Sequence, residues 1–295
     1  MSSALTNTRT VGVASISRAI RALEAFANHP GGVALTRLSG ELGYGKASLS
    51  KILSTLEREG FVRCDAASGH FHLSWRLMAL AYGYAERVGM PDLCMPVLQA
   101  LADETGELVQ LAVVEGDDVL FVAKAEGADR RMRMVPLVGA VAPLHATASG
   151  KVWLASLPDA EAAAILARQS LVRLASRTMT SRSRVLAQLR EIRARGYATV
   201  DEELVDGGRA VAAAIVHGGR VVGAVAVSGP MVRLPLRKLH RMAASVRRTA
   251  AQLGLMWPHG VTVHDFGFGA PLLHRNGRNG RHGANGRGRA RESHA

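Results

Sequence analysis

Residues 35 to 73, LTRLSGELGYGKASLSKILSTLEREGFVRCDAASGHFHL, leave a folding chain few choices. From Lys46 the apolar side chains Leu49, Ile52, Leu53 and Leu56 recur at i, i+3, i+4 and i+7, which makes one buried stripe of a helix. The opposite face stays polar. It presents Lys46, Ser50, Lys51 and Ser54, with Ser48 near the helix start, and these side chains can reach phosphates and base edges from a helix in a major groove. Upstream, Thr36 is placed to cap a short helix running to Gly43, and Gly43, Tyr44 and Gly45 supply a turn. Downstream, Gly60 stops the second helix. Residues 61–63 and 70–73 then read as two short strands around the turn at 65–69, a hairpin whose Arg63, His70 and His72 can touch flanking backbone phosphates. The order of helix, glycine turn, polar-faced helix and basic hairpin predicts a winged helix-turn-helix. Periodicity alone would also fit an amphipathic helical hairpin that binds nothing.

The remainder of the 295 residues is enough for a second domain, and 48% hydrophobic content supplies its core. A formal net charge of +13 points to a polyanionic partner without selecting a fold. Two cysteines, Cys64 and Cys94, provide neither a disulfide framework nor metal-ligand spacing, so a reducing cytoplasm is expected, with no metal and no cofactor. No apolar run has the length of a membrane span, and the first fifteen residues have no signal-peptide core.

Taken in order, residues 1–14 read as a flexible arm and 15–74 as the DNA-binding unit. The latter opens with a helix carrying Ile16, Ala19, Ile20, Leu23 and Phe26 on one side, closed by His29, Pro30, Gly31 and Gly32. Residues 75–90 form a linker helix with Leu77, Leu80, Ala81 and Tyr84 at helical spacing, suited either to pairing with its twin in a dimer or to packing within its own chain. From 91 to 257 the pattern becomes α+β. Helices are expected at 96–104, 149–157, 159–167, 184–195 and 237–254. Strands are expected at 108–114 and 119–123, and at 211–216 and 221–227 around Gly218 and Gly219. Strand pairs separated by helices predict an antiparallel sheet flanked by helices. Residues 258–295, rich in Gly, Asn, Arg and His, are expected to be a basic disordered tail.

Several runs together resemble the IclR family of bacterial transcriptional regulators: SISRAIRALEAF at 15–26, the helix-turn-helix above, PLHATASGK at 143–151, RARGY at 193–197 with DEE at 201–203, and AVSGP at 226–230. The resemblance implies an N-terminal DNA-binding domain and a C-terminal effector-binding domain of GAF/profilin-like type. It further implies a homodimer or dimer of dimers on a palindromic double-stranded DNA operator. The expected DNA contacts are Arg18, Thr36, Lys46, Ser48, Ser50, Lys51, Ser54, Arg63 and His70. The family's effector contacts fall on Met134, Ala148, Ser149, Asp201, Ala210, Ala226 and Ser228. The chain departs from some relatives at Ala210, where a cysteine is frequent, and at Ala226, where some carry serine. Fewer polar groups suggest a roomier or more apolar pocket, open to an aromatic or branched acid as much as to a two- or three-carbon one.

The residues themselves point to the same place. The unpaired N–H groups of a helix beginning near Ala148 and Ser149 favour a carboxylate. Gly150-Lys151 is no P-loop, because His145 stands at the first glycine and Val152 at the Ser/Thr. His145 reads more readily as a cap or core histidine than as a base, the acidic run at 201–203 as a solvated or helix-facing cluster, and Ser228 as satisfying a strand end. A ligand-responsive transcription factor controlling catabolic genes from the cytoplasm, without catalysis, is the expectation. A nonspecific nucleic-acid-coating protein and a metabolic enzyme with an incidental DNA-binding-like domain are the alternatives.

Overall fold

The computed structural model describes residues 13–127, 134, 135 and 137–258. The arm, save for its last two residues, and the tail beyond Pro258 lie outside the described residues. The chain divides into two compact units, at 1–88 and 89–295.

The first unit is a three-helix winged fold. Helix α1 (Ala14–Phe26) is followed by a two-residue strand β1 (Val33–Ala34), then α2 (Leu35–Leu42) and α3 (Lys46–Arg58). Strands β2 (Val62–Cys64) and β3 (His70–Leu73) form the wing, and helix α4 (Trp75–Val88) closes the unit. The predicted stripe is the core: Leu49 and Leu53 are fully buried and join Ala22, Phe26, Leu38 and Val62. Each such leucine contributes about 1.5–3 kcal/mol relative to exposure. The turn between α2 and α3 needs a left-handed residue and takes it from Gly43 at φ 67°, whose N–H donates to Ser39. Thr36 is not the cap expected of it. β1 pairs with β3 and runs straight into α2, so Ala34 holds the cap position and Thr36 lies inside the first turn. A two-residue strand leaves no periodicity to read, which is why the sequence hid it.

The second unit is a five-stranded antiparallel sheet with helices on both faces. It begins with α5 (Met90–Thr105), which starts six residues before the expected position because Pro91 sits in its first turn, where a missing N–H costs nothing; Pro96 is carried inside. Strands β4 (Leu108–Glu115) and β5 (Asp118–Glu126) form one hairpin. Helices α6 (Ala148–Ser156), α7 (Asp159–Arg168) and α8 (Arg182–Arg195) follow, then the short strand β6 (Ala198–Asp201), absent from the sequence reading. Strands β7 (Gly208–His217) and β8 (Arg220–Pro230) form the second hairpin, and α9 (Leu236–Met256) ends the unit. The sheet order is β5-β4-β8-β7-β6. One face packs on α5 and α9 around Leu98, Leu111, Val225 and Leu253, and the other on α6, α7 and α8 around Phe121, Trp153, Leu166 and Leu189. With both faces covered, β4 and β8 read as continuous apolar runs rather than alternating ones.

Candidate functional site

Two places gather the chemistry, one in each unit. On the first, Lys46, Ser50, Lys51 and Ser54 all lie exposed on α3, because the stripe Leu49, Leu53 and Leu56 turns them outward. Ser48 is half-buried, and its hydroxyl accepts a hydrogen bond from Arg18 of α1 at 3.5 Å. The same guanidinium stands over the Tyr44 ring, 5.6 Å from its centroid. Arg18 is thus drawn to the start of α3, which periodicity could not foretell. Arg63 is exposed on β2, and His70 is half-buried on β3. Glu57 of α3 accepts the Cys64 N–H at 3.1 Å, tying wing to helix. Thr36 is exposed in the first turn of α2.

On the second unit, a cavity of about 50 Å³ opens between the sheet and the start of α6. Six of the seven expected effector residues line it: Met134, Ala148, Ser149, Ala210, Ala226 and Ser228. They converge because Ala210, Ala226 and Ser228 project from one face of adjacent strands, with Ala210 opposite Ser228 and Gln110 opposite Ala226. Thr147 caps α6, its hydroxyl accepting from the Gly150 N–H at 3.1 Å and donating to the Pro143 carbonyl at 3.0 Å. Any Cβ on Gly150 would stand 2.5 Å from the Leu144 Cα, so only glycine lets α6 sit this deep. Ala148 and Ser149 line the cavity from the first turn of α6, whose N–H groups no helix can pair internally.

Asp201 is the exception. On β6 the buried positions are Ala198 and Val200, so alternation sends Asp201 to the other side, where Arg177 and Arg209 hold its carboxylate. The acidic run is not simply solvated either. Glu203 is buried, and both its carboxylate oxygens accept from the Lys151 ammonium, at 2.6 and 2.5 Å, with the lysine wholly inaccessible. Burial shifts both groups toward neutrality, the lysine downward and the glutamate upward. Glu202 adopts φ 57° and accepts the Gly207 N–H at 2.9 Å, closing the loop that brings Leu204 and Val205 against the cavity. The ion pair thus ties that loop to α6.

Sequence reading missed Gln110. It is 5% exposed and lines the cavity, and its Nε2 has no hydrogen-bond partner among the described residues; nor has the hydroxyl of Ser149, 1% exposed. A polar group buried without a partner costs about 1–3 kcal/mol. The available signal was a lone amide within the apolar run of β4. The cavity is small, and its walls are mostly apolar, with Phe121, Met134 and Leu137 beside Ala210 and Ala226. Among the described residues no cluster of three or more His, Cys, Asp or Glu can hold a metal.

His145 is buried and donates from Nε2 to the Val172 carbonyl at 3.0 Å, as a core histidine does. Burial, aided by the nearby Lys151 charge, holds its pKa below the ordinary value. The folded state therefore refuses a proton that the unfolded chain accepts, and stability is lost as pH falls through about 6.5. The His145→Gln variant should show a flatter decline in melting temperature between about pH 7 and 5 than the parent. Equal slopes would remove His145 from the acid response.

Residues 15–66 match the model of the IclR helix-turn-helix domain, and residues 82–255 match that of the bacterial transcriptional regulator IclR C-terminal domain. The HTH-type transcriptional regulator TtgV of Pseudomonas putida is 34% identical over 195 residues, covering 66% of this chain and 73% of that protein. The crystal structure of an IclR transcriptional regulator from Alicyclobacillus acidocaldarius superposes with a TM-score of 0.73 at 25% identity, covering 83% of this chain and 98% of that one. An IclR homolog from Microbacterium hydrocarbonoxydans, crystallised with 4-hydroxybenzoate, shares the fold with a TM-score of 0.69 at 20% identity, covering 82% and 98% of the two chains.

Proposed function

Because the chain belongs to the IclR family of bacterial transcriptional regulators, we propose that α3 reads an operator and that a small organic acid in the cavity beside α6 controls that reading. The observation that carries the second half is the pair of unpartnered buried polar groups, Ser149 Oγ and Gln110 Nε2, facing one space at a helix N-terminus. A carboxylate on the first-turn N–H groups and the Ser149 hydroxyl satisfies the donors there, and an acceptor elsewhere on the ligand satisfies Gln110. Ser228 offers a further hydroxyl on the same wall. At about 50 Å³ the space suits a compact acid, since one water needs about 10–15 Å³ by the same measure. An aromatic acid, such as the 4-hydroxybenzoate held by the Microbacterium homolog, enters once the Met134 side chain withdraws. Calorimetric titration with acids of increasing size, from two-carbon to aromatic, tests the assignment; no heat from any of them would remove it.

The protein acts by binding, in the cytoplasm where the chromosome lies, as a homodimer or dimer of dimers on a palindromic operator. In support of the dimer, α4 leaves Trp75, Leu80, Tyr82 and Tyr84 each more than 60% exposed. Mobility shifts separate sequence reading from nonspecific coating. Ser50→Ala and Lys51→Ala should each change discrimination between operator variants by about 1–3 kcal/mol, whereas Lys46→Ala should weaken all DNA alike. Equal weakening on random and operator DNA for all three would take α3 out of the groove and favour the coating role that a net charge of +13 also allows.

A further inference from the structure

Helix α9 carries charge of one sign only. Between Leu236 and Met256 stand Arg237, Lys238, Arg241, Arg247 and Arg248, with His240, and no acid. The buried positions Leu239, Met242, Ala243, Val246, Ala250 and Leu253 pack on the sheet, so Arg237, Arg241 and Arg248 fall within about 40° of one another on the exposed side. Lys238 and Arg247 flank that line. Between Leu236 and Leu255, at its two ends, the helix exposes no large apolar side chain.

Within the unit this charge gains nothing. Arg237 and Lys238 lie in the first turn, at the positive end of the helix dipole, where α7 carries Asp159 and Glu161 instead. Arg237 and Arg241 are like charges at i, i+4, and Lys238 and Arg241 at i, i+3. Neighbouring elements do not offset them either. Glu104 of α5 pairs with Arg248 at 3.1 Å and Glu107 with Arg233 at 2.6 Å, while Arg237, Lys238, Arg241 and Arg247 have no acidic partner among the described residues.

We propose that this face of α9 holds the phosphate backbone of duplex DNA, so that the effector-binding unit adds a sequence-independent grip to the reading done by α3. The proposal rests on the chain's being a DNA-binding regulator and gives it a second contact surface. Arg237 and Arg247 stand about 15 Å apart along the helix axis, a span over which one DNA strand carries about four charges. A phosphate backbone asks for cations in a row, whereas a protein partner asks for apolar or aromatic side chains at the centre of the contact. The middle of α9 offers the first without the second. Ala244, exposed between Arg241 and Arg248, lets a backbone come close.

Fluorescence anisotropy of the full chain with a random-sequence duplex of about 60 base pairs, from about 50 to 300 mM KCl, tests this. Arg237→Gln, Lys238→Gln and Arg241→Gln together should lower the slope of log K against log salt by about 2–3 and weaken binding by about tenfold or more. Arg237→Lys with Arg241→Lys keeps the charge and should stay within about twofold of the parent. Glutamine at Arg168, Arg184 and Arg190, exposed on the opposite helix layer, removes the same net charge and should change the slope by less than about 1. Unchanged circular dichroism verifies folding in each. A parent-like slope in the α9 glutamine variant overturns the proposal. An equal loss from the α7 and α8 set does so too, by assigning the effect to net charge, and so does loss in the lysine variant, by assigning the face to a partner that needs guanidinium geometry. Failure of α3 to read sequence shows separately, as unchanged operator discrimination in Ser50→Ala and Lys51→Ala.

Discussion

Ser149→Glu should abolish the effector's influence on DNA binding while leaving operator affinity in its absence unchanged. Ser149 lies at the second helical position of α6, 1% exposed, with its hydroxyl facing a cavity of about 50 Å³. A glutamate there fills the space and places its own carboxylate on the first-turn N–H groups, where the ligand's would go. Like charges in direct contact cost several kcal/mol, so affinity falls by about 100-fold or more. Ser149→Ala provides the scale, since it removes one hydroxyl and should cost about 0.5–1.5 kcal/mol. Calorimetry reads the affinity, and an operator mobility shift across an effector titration reads the response. Parent-like binding by the glutamate variant would move the effector away from α6.

Glu203→Gln should destabilise the effector-binding unit by about 3–5 kcal/mol, because it leaves Lys151 without its counter-charge at a wholly inaccessible position. For a unit of this size that corresponds to roughly 10 °C or more in melting temperature. The cost belongs to the uncompensated charge rather than to the pair as such. Lys151→Met with Glu203→Leu should accordingly recover most of the loss. Urea unfolding of the two variants beside the parent distinguishes the cases; a loss below about 1 kcal/mol for Glu203→Gln would mean that water reaches the lysine. Both walls of the cavity depend on this pair, since Lys151 belongs to α6 and Glu203 to the loop that carries Leu204 and Val205. Variants that survive folding should therefore also bind the effector more weakly.

Long elements were legible because their periodicity repeats. Leu49, Ile52, Leu53 and Leu56 announced α3 and hence which residues face outward, and Gly218 with Gly219 announced the hairpin of β7 and β8. The family runs then placed Met134, Ala148, Ser149, Ala210, Ala226 and Ser228, all of which line one cavity. Two short strands and the start of one helix were not legible. β1 has two residues and β6 four, with little pattern of their own, and α5 begins at Met90 and Pro91 behind Gly89, which read as a break.

The order of residues along the chain settles what each local segment is and which side of it is apolar, since these follow from neighbours three and four residues away. What meets across long separations is settled by packing in three dimensions. Packing put Glu203 on Lys151 across 52 positions, turned Asp201 from the cavity to Arg177 and Arg209, and brought Gln110 of β4 opposite Ala226 of β8. It also seated Arg18 on Ser48 across 30 positions. Such pairings depend on sheet register and on which helix covers which face. A one-residue slip in register reverses every side chain of a strand, and no local pattern records it.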